Sequence, residues 1–342
     1  MISFPFVPEA VGRRAIMSEF SIIRRLIEMS GSMPGDVVAG PGDDCAVVST
    51  GGPRGRLVLT TDAMVEGVHF AKDSLSPERL GRRAISVALS DIAAMGGSPS
   101  WALVSCGLDP EAWPEERALS LLGGMKNRLE EFGAAIIGGN LTRSARFFAS
   151  VTAGGYCPGH PMMRSGARPG DLLVVTGELG GAALGLDLVL AGDVRQDHPL
   201  VARHADPPAR IREGMMLRHL AHACIDVSDG LLQDLGHLLE ASGVGAVVEA
   251  EALPLASAGA DEVPQERRLR AALAGGEDYE LLAAVPPGED DGVAGIEEAT
   301  GTPLTVIGRL TEHRGTLEVL DASGKSMDLP ERLGWDHFRG EP

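Results

Sequence analysis

The residues best able to do chemistry are aspartates placed where an ionised carboxylate is costly. Asp43 and Asp44 share the glycine turn Gly40-Pro41-Gly42-Asp43-Asp44, and Asp62 ends the apolar run 56–61 (RLVLTT). Asp226 and Asp229 bracket Val227-Ser228 ahead of Gly230. Asp91 lies eleven residues after Leu80 and seven after Ala84, which puts it on the buried face of a helix. Taking such a group out of water without a partner costs several kcal/mol or more. A single case is usually a helix cap or half of an ion pair. Six of them at element ends, with few Lys or Arg nearby, favour a shared divalent cation. All the donors are oxygens and no His or Cys is clustered, so magnesium or manganese is favoured over zinc. Asp226-x-Ser228 opens like an EF-hand, but the twelfth position is His237 and not Glu.

Phosphate-binding signals are weaker. Gly177-x-x-Gly180-Gly181-x-x-x-Gly185 follows a strand and opens a helix, yet it has neither Rossmann nor Walker spacing. Tight strand-to-helix packing is the better reading of it. Gly138-Gly139-Asn140-Leu141-Thr142-Arg143 ends an apolar strand and could bring backbone N–H groups and Arg143 to a phosphate. Arg164, in Arg164-Ser165-Gly166, stands near a domain junction and would supply positive charge to a site built of aspartates. Phosphoryl transfer needs metals on phosphate oxygens, a cation for developing charge, and alignment of donor and acceptor. This chain carries that set.

Bulk properties narrow the class. The chain has 342 residues, 44% hydrophobic and 23% charged, enough for about two globular domains. Its 48 acidic and 30 basic residues give a net charge of −18, which repels nucleic acid and admits ATP only through metal. Cys45, Cys106, Cys157 and Cys224 show no ligand spacing and read as reduced thiols of a cytoplasmic protein. No apolar run nears the ~20 residues that cross a bilayer, so no membrane association is expected. The first 17 residues do not suit a signal peptide and are set apart as an N-terminal extension, with Met17 as an alternative start.

The elements that must position these residues follow an α/β pattern. Helices are predicted from residue 19, over 77–95 behind the Ser76-Pro77 cap, over 211–221 and over 231–241, with an apolar helix after Gly181. Strands are predicted over 56–61, 134–137, 147–153, 171–176, 223–226, 246–249, 280–285 and 304–307. The Gly- and Pro-rich stretch 154–161 reads as a domain junction, and 256–265 and 286–291 as surface loops.

Longer motifs carry a resemblance. They are Gly42-Asp43-Asp44-Cys45-Ala46, Thr60-Thr61-Asp62 through Val65-Glu66-Gly67-Val68-His69-Phe70, and Leu89-Ser90-Asp91-Ile92-Ala93-Ala94-Met95-Gly96. Arg164-Ser165-Gly166, Ile225-Asp226-Val227-Ser228-Asp229-Gly230-Leu231, Gly275-Gly276-Glu277-Asp278-Tyr279-Glu280 and Trp335-Asp336-His337-Phe338 follow. In this order they resemble the thiamine-monophosphate kinases, in the superfamily of aminoimidazole ribonucleotide synthetase and selenophosphate synthetase, from Ser18 to about Phe338.

The resemblance implies a mixed α/β (α+β) fold of two domains, 18–157 and 158–342. The first would bind metal and ATP and form the sheet or barrel of a homodimer. It implies ATP, several magnesium ions and thiamine monophosphate as ligands. By motif position it implies Asp44, Thr60, Thr61, Asp62, Asp91, Asn140, Asp226 and Asp229 at metal, and Gly139, Asn140, Arg164 and Ser228 at nucleotide. His69, Glu277 and Trp335 would meet the thiamine phosphate, Glu277 as countercharge to its cation and Trp335 as a stacking face. Without the resemblance, Trp335 reads equally as a hydrophobic plug and His69 as a solvated histidine.

Two departures from the family pattern stand out. Asn140 replaces an aspartate and would ligate magnesium with less charge. Asp206 stands where an arginine is usual. Selenophosphate synthetase would want a reactive residue near the N-terminus, and a hydrogenase maturation factor a C-terminal cysteine. This chain has neither, and ends Arg339-Gly340-Glu341-Pro342. A binding protein without catalysis is the reading of another class, motivated by Asn140.

Overall fold

The computed structural model describes residues 2–3, 19–29, 33–192, 197–330 and 332–335. Of the 1–17 extension only Ile2–Ser3 is described. The rest of that segment lies outside the described residues, as do Ser18 and 336–338 of the C-terminal motif.

Two mixed sheets form the frame. After β1 (Ile2–Ser3) and α1 (Glu19–Met29) come β2 (Val37–Ala39), β3 (Ala46–Ser49), β4 (Arg56–Val65) and α2 (Pro77–Ala94). Then follow β5 (Ser98–Leu108), α3 (Glu115–Glu130), β6 (Ala135–Arg143) and β7 (Phe148–Cys157). Strands β2 to β7 make a six-stranded sheet in the order β2-β3-β4-β7-β5-β6, parallel only between β5 and β6.

The second half has β8 (Leu172–Thr176), α4 (Gly181–Leu190), α5 (Pro199–Ala205), α6 (Ile211–Leu217), β9 (Ala223–Val227), α7 (Leu231–Ser242) and β10 (Gly245–Glu249). It closes with α8 (Gln265–Ala274), β11 (Glu280–Val285), α9 (Asp290–Thr300), β12 (Leu304–Thr311) and β13 (Thr316–Leu320). The seven-stranded sheet runs β1-β13-β10-β12-β8-β11-β9, and only β10 and β13 are parallel.

Helix α2 is the central piece. Ser76 Oγ accepts from the Arg79 amide at 3.3 Å and Pro77 opens the first turn, as the sequence pattern predicts. Its apolar residues Leu80, Ala84, Ile85, Ala88, Leu89 and Ile92 are fully buried, in a core that also holds Ile211, Leu217, Cys224 and Leu281 from the second half. One core thus spans both halves, and α2 lies between the two sheets. Burying each large aliphatic side chain contributes roughly 1.5–3 kcal/mol.

Several boundaries differ from the sequence pattern. The strand predicted over 56–61 runs to Val65, because β4 keeps pairing with β7 as far as Val65 opposite Phe148. Asp62 is therefore inside a strand and not at its end. Likewise 154–157 belongs to β7, and the predicted junction begins only after Cys157. Gly154 has no side chain because the Trp101 ring occupies that space. The 134–137 strand continues to Arg143, so Gly138–Arg143 is strand and not loop.

Candidate active site

Three elements converge on one group of carboxylates. Asp44 comes from the turn before β3, Asp91 from the last turns of α2, and Asp226 from β9. One ligand oxygen of each lies within 4.8 Å of the others. Strand β4 adds Asp62, and its neighbour Thr60 donates its hydroxyl to Asp91 Oδ2. Ser90 donates to Asp226 Oδ2 at 2.6 Å. Period-two alternation puts Thr60 and Asp62 on the face of β4 that meets α2. The Oδ2 atoms of Asp44 and Asp62 are buried and accept no hydrogen bond among the described residues.

The electrostatics follow from burial and like charge. Burial alone pushes Asp62 up to about 6. Asp226 goes to about 7, through burial first and then the charge of Asp44. Asp91 is pushed well above the usual carboxylate range by burial and by Asp62, Asp226 and Asp44. Asp43, beside the group, is raised to about 6 by burial and Asp44. Carboxylates this close hold protons unless a cation replaces them. Oxygen-only donors with orphaned buried atoms are the set a hard divalent ion takes. The residues present fit magnesium.

Arg164 supplies the local positive charge. Its Nε donates to Asp44 Oδ1 at 2.9 Å, and its backbone N–H donates to Asp43 at 3.2 Å. Burial works against its charge, but Asp44 holds the guanidinium protonated.

Next to the carboxylates lies a strapped turn. Asp234 Oδ2 accepts from the amides of Ser228, Asp229 and Gly230 at 2.9, 3.0 and 3.1 Å. Gln233 Nε2 donates to Asp229 Oδ2 at 3.0 Å and to the Trp335 carbonyl at 2.8 Å. The Trp335 amide donates to the Asp229 carbonyl at 3.2 Å, and the Glu277 amide to the Ser228 carbonyl at 2.7 Å. Ser228, Asp229, Glu277 and Trp335 are therefore neighbours. His69 sits beyond the end of β4, where its Nδ1 accepts from the Val65 amide at 3.0 Å.

Three residues expected at metal lie outside the Asp44–Asp91–Asp226 group: Asp229, whose Oδ2 accepts from Gln233 in the adjacent turn, and two on the sheet. The Thr61 hydroxyl points to the opposite face of the sheet, 3.1 Å from Thr152 Oγ1. Asn140 stands beside Ser105 in register, on that same outer face. Neither side chain joins the carboxylate group. Gly139, inside β6, has φ +155, and a Cβ there would collide with the Val104 carbonyl, so it keeps β6 close to β5. At the other glycine motif, Asp278 accepts from the amides of Gly180 and Ala182 at 2.6 and 3.2 Å. The start of α4 is thus filled by the protein's own carboxylate. Asp206 accepts from Arg82 Nε at 2.9 Å.

The sequence pattern singles out no role for Ser90, Asp234 or Arg83. Asp234 had a local signal: it is four residues past Gly230, in the first turn of α7, where a carboxylate reaches back to free amides.

Comparison with known proteins gives the chain's relatives. Residues 42–157 match the family model of AIR synthase related protein, N-terminal domain, and residues 168–320 match that of the C-terminal domain. The chain is 38% identical over 330 residues to thiamine-monophosphate kinase of Escherichia coli K12, covering 94% of this chain and 98% of that one. It is 38% identical over 278 residues to the enzyme of that name from Mycobacterium tuberculosis H37Rv, covering 78% and 80%. The structure of AaThiL complexed with AMPPCP and TMP superposes with a TM-score of 0.80 at 33% identity, over 96% of this chain and all of that one. Thiamine-monophosphate kinase from Stenotrophomonas maltophilia K279a gives a TM-score of 0.74 at 34% identity, over 90% and 98%. The hydrogenase maturation protein HypE of E. coli, at 20% identity and a TM-score of 0.68, shares the fold.

Proposed function

We infer the reaction from one premise: the chain belongs to the thiamine-monophosphate kinase family, built of the two AIR synthase related domains. It is an enzyme that phosphorylates thiamine monophosphate with ATP, giving thiamine pyrophosphate and ADP. The observation that carries this reading is the meeting of Asp44, Asp91 and Asp226 from three separate elements. Asp62 lies close enough to Asp91 to raise its pKa.

The proposed step is in-line. A phosphate oxygen of thiamine monophosphate attacks the γ-phosphorus of ATP, the new P–O bond forms, and the β,γ-bridging oxygen leaves with ADP. The acceptor phosphate has a second pKa of about 6, so it is already ionised at neutral pH and needs no strong general base. Asp44, Asp62, Asp91 and Asp226 would hold magnesium, which when bound neutralises charge on the transferring phosphate oxygens. Ser90 and Thr60 fix Asp226 and Asp91 by donating to one oxygen of each, leaving the other available. Arg164 and the Ser228 turn face the nucleotide in this reading, and Arg164 exchanges Asp44 for phosphate. Trp335, His69 and the loop that carries Glu277 would form the acceptor end; the Glu277 carboxylate is itself paired with Arg83 and His204, so it holds the loop and is not a free countercharge.

A homodimer is supported by the sheet edge at β6. Leu103, Ile137 and Leu141 are 40%, 62% and 61% exposed there, beside a strand with one side unpaired among the described residues. Four free, buried cysteines suit a cytoplasmic setting, and no described helix is long and apolar enough to cross a membrane. Residues 18–157 and 158–342 are proposed as the two functional units.

Purified protein given ATP, magnesium and thiamine monophosphate should form thiamine pyrophosphate, measured by chromatography. Tight ATP binding without that product would turn the reading toward another acceptor or a binding role.

A further inference from the structure

Helix α2 sends two polar side chains from one face to the second half of the chain. Ser90 reaches Asp226, and Arg83, seven residues earlier, reaches Glu277. Two turns separate them, about 10 Å along the axis. The helix therefore spaces the carboxylate group from the Glu277 loop by a fixed length.

Arg83 is 1% exposed, an expensive place for a guanidinium. Its two terminal nitrogens donate to Glu277 Oε1 and to the His204 carbonyl, and His204 Nδ1 lies 3.1 Å from Glu277 Oε2. Glu277 has φ +70 and Tyr279 φ +51, backbone that costs energy for residues with side chains. Neighbouring contacts keep this loop in place. The Glu277 amide binds the Ser228 carbonyl at 2.7 Å, and the Tyr279 amide binds the Val227 carbonyl at 2.8 Å. Gly276 and Gly334 flank the same turn closely; a Cβ on either would stand 2.5 Å from the Ser228 oxygen or 2.8 Å from the Asp229 oxygen.

We propose that Arg83 is a positioning residue for the acceptor. From α2 it holds Glu277, and through Glu277 it sets the 275–279 loop against the Ser228–Asp229 turn. That fixes the distance between the metal-binding end and the wall that meets the cationic, aromatic body of a phosphate monoester. The inference rests on the kinase reading above and adds a residue from the opposite half of the chain to its acceptor end. Arg83 touches neither substrate in this account, so its loss should act on one substrate and spare the other.

The test compares wild type, Arg83→Met and Arg83→Lys by steady-state kinetics in both substrates, with amide hydrogen exchange of the 275–280 peptide. Arg83→Met should raise KM for thiamine monophosphate about tenfold or more while KM for ATP stays within about twofold; tenfold corresponds to about 1.4 kcal/mol. Arg83→Lys should recover most of that loss. Exchange in 275–280 should quicken in Arg83→Met and stay unchanged in the 98–108 peptide. If Arg83→Met does not fold, Arg83→Gln, which keeps a polar side chain but no charge, and Arg83→Lys carry the same comparison. Folded variants with both KM values unchanged, or raised alike, overturn the proposal, as does unaltered exchange. A wild type that makes no thiamine pyrophosphate overturns the parent reading instead, and the exchange result still decides whether Arg83 holds the loop.

Discussion

Replacing Glu277 by Gln keeps the side chain's shape and removes its charge, which isolates what the carboxylate contributes to stability. Burial pushes the Glu277 carboxyl up, but the Arg83 guanidinium and His204 outweigh it and hold the group down to about 2, against an ordinary 4.5. That difference of roughly 2.5 units is worth about 3 kcal/mol at about 1.36 kcal/mol per unit. The figure agrees with the ~3–5 kcal/mol expected when one partner of a buried ion pair is lost. The sign is that of a depressed acid. The stabilisation is present above pH 4.5 and is lost as pH falls toward 2. One unit into that window, near pH 3.5, roughly 1 kcal/mol of it should already be gone. Urea unfolding of wild type and Glu277→Gln at pH 7 and pH 3.5 measures both values, because other carboxylates titrate alike in the two proteins. A difference below about 1 kcal/mol at pH 7, or the same difference at both pH values, would refute the pairing argument.

Three further outcomes follow from the geometry. Magnesium should raise the melting temperature more at pH 8 than at pH 5.5: Asp226 at about 7 and Asp43 and Asp62 at about 6 are raised acids, so metal-free stability falls as pH rises through 6–7. An equal magnesium effect at both pH values would contradict that cluster. Asp234→Asn, which keeps the shape but weakens acceptance from the amides of Ser228, Asp229 and Gly230, should cost about 1–3 kcal/mol in thermal or urea unfolding; an unchanged midpoint would remove Asp234 as the anchor of the turn. Ile137→Glu with Leu141→Glu should leave a folded monomer in light scattering if β6 is the dimer edge, and an unchanged mass would place the contact elsewhere.

Much of the site was legible because its residues break local rules. Asp91 among apolar helix residues, Asp226 at the end of a buried strand and Asp44 in a glycine turn each contradict their surroundings, and the fold brings these three together. What sequence could not give is the side of a sheet. Thr60, Thr61 and Asp62 are consecutive, so one residue decides whether a side chain meets α2 or the outer face. Thr61 and Asn140 turn outward for that reason. Strand β5 was also hidden. Ser98, Pro99, Ser100 and Ser105 break its alternation, and its place is set by pairing with β7 across long sequence separation. Arg83 carries no local signal, because the groups it meets, Glu277 and the His204 carbonyl, come from the second half of the chain. Glu277 has the same history: its motif places it at the acceptor, while its partner lies 194 residues away.

The central claim is that the carboxylates gathered around α2 and β9 run a magnesium-dependent transfer to thiamine monophosphate. The most direct measurement is thiamine pyrophosphate formation across a magnesium titration, for wild type, Asp91→Asn and Asp226→Asn, with ATP binding followed in parallel. Wild-type turnover that EDTA abolishes and magnesium restores, with both variants folded and slower by about a hundredfold or more, about 2.7 kcal/mol in the barrier, is the predicted result. Folded variants that keep wild-type turnover at the same magnesium dependence would contradict it.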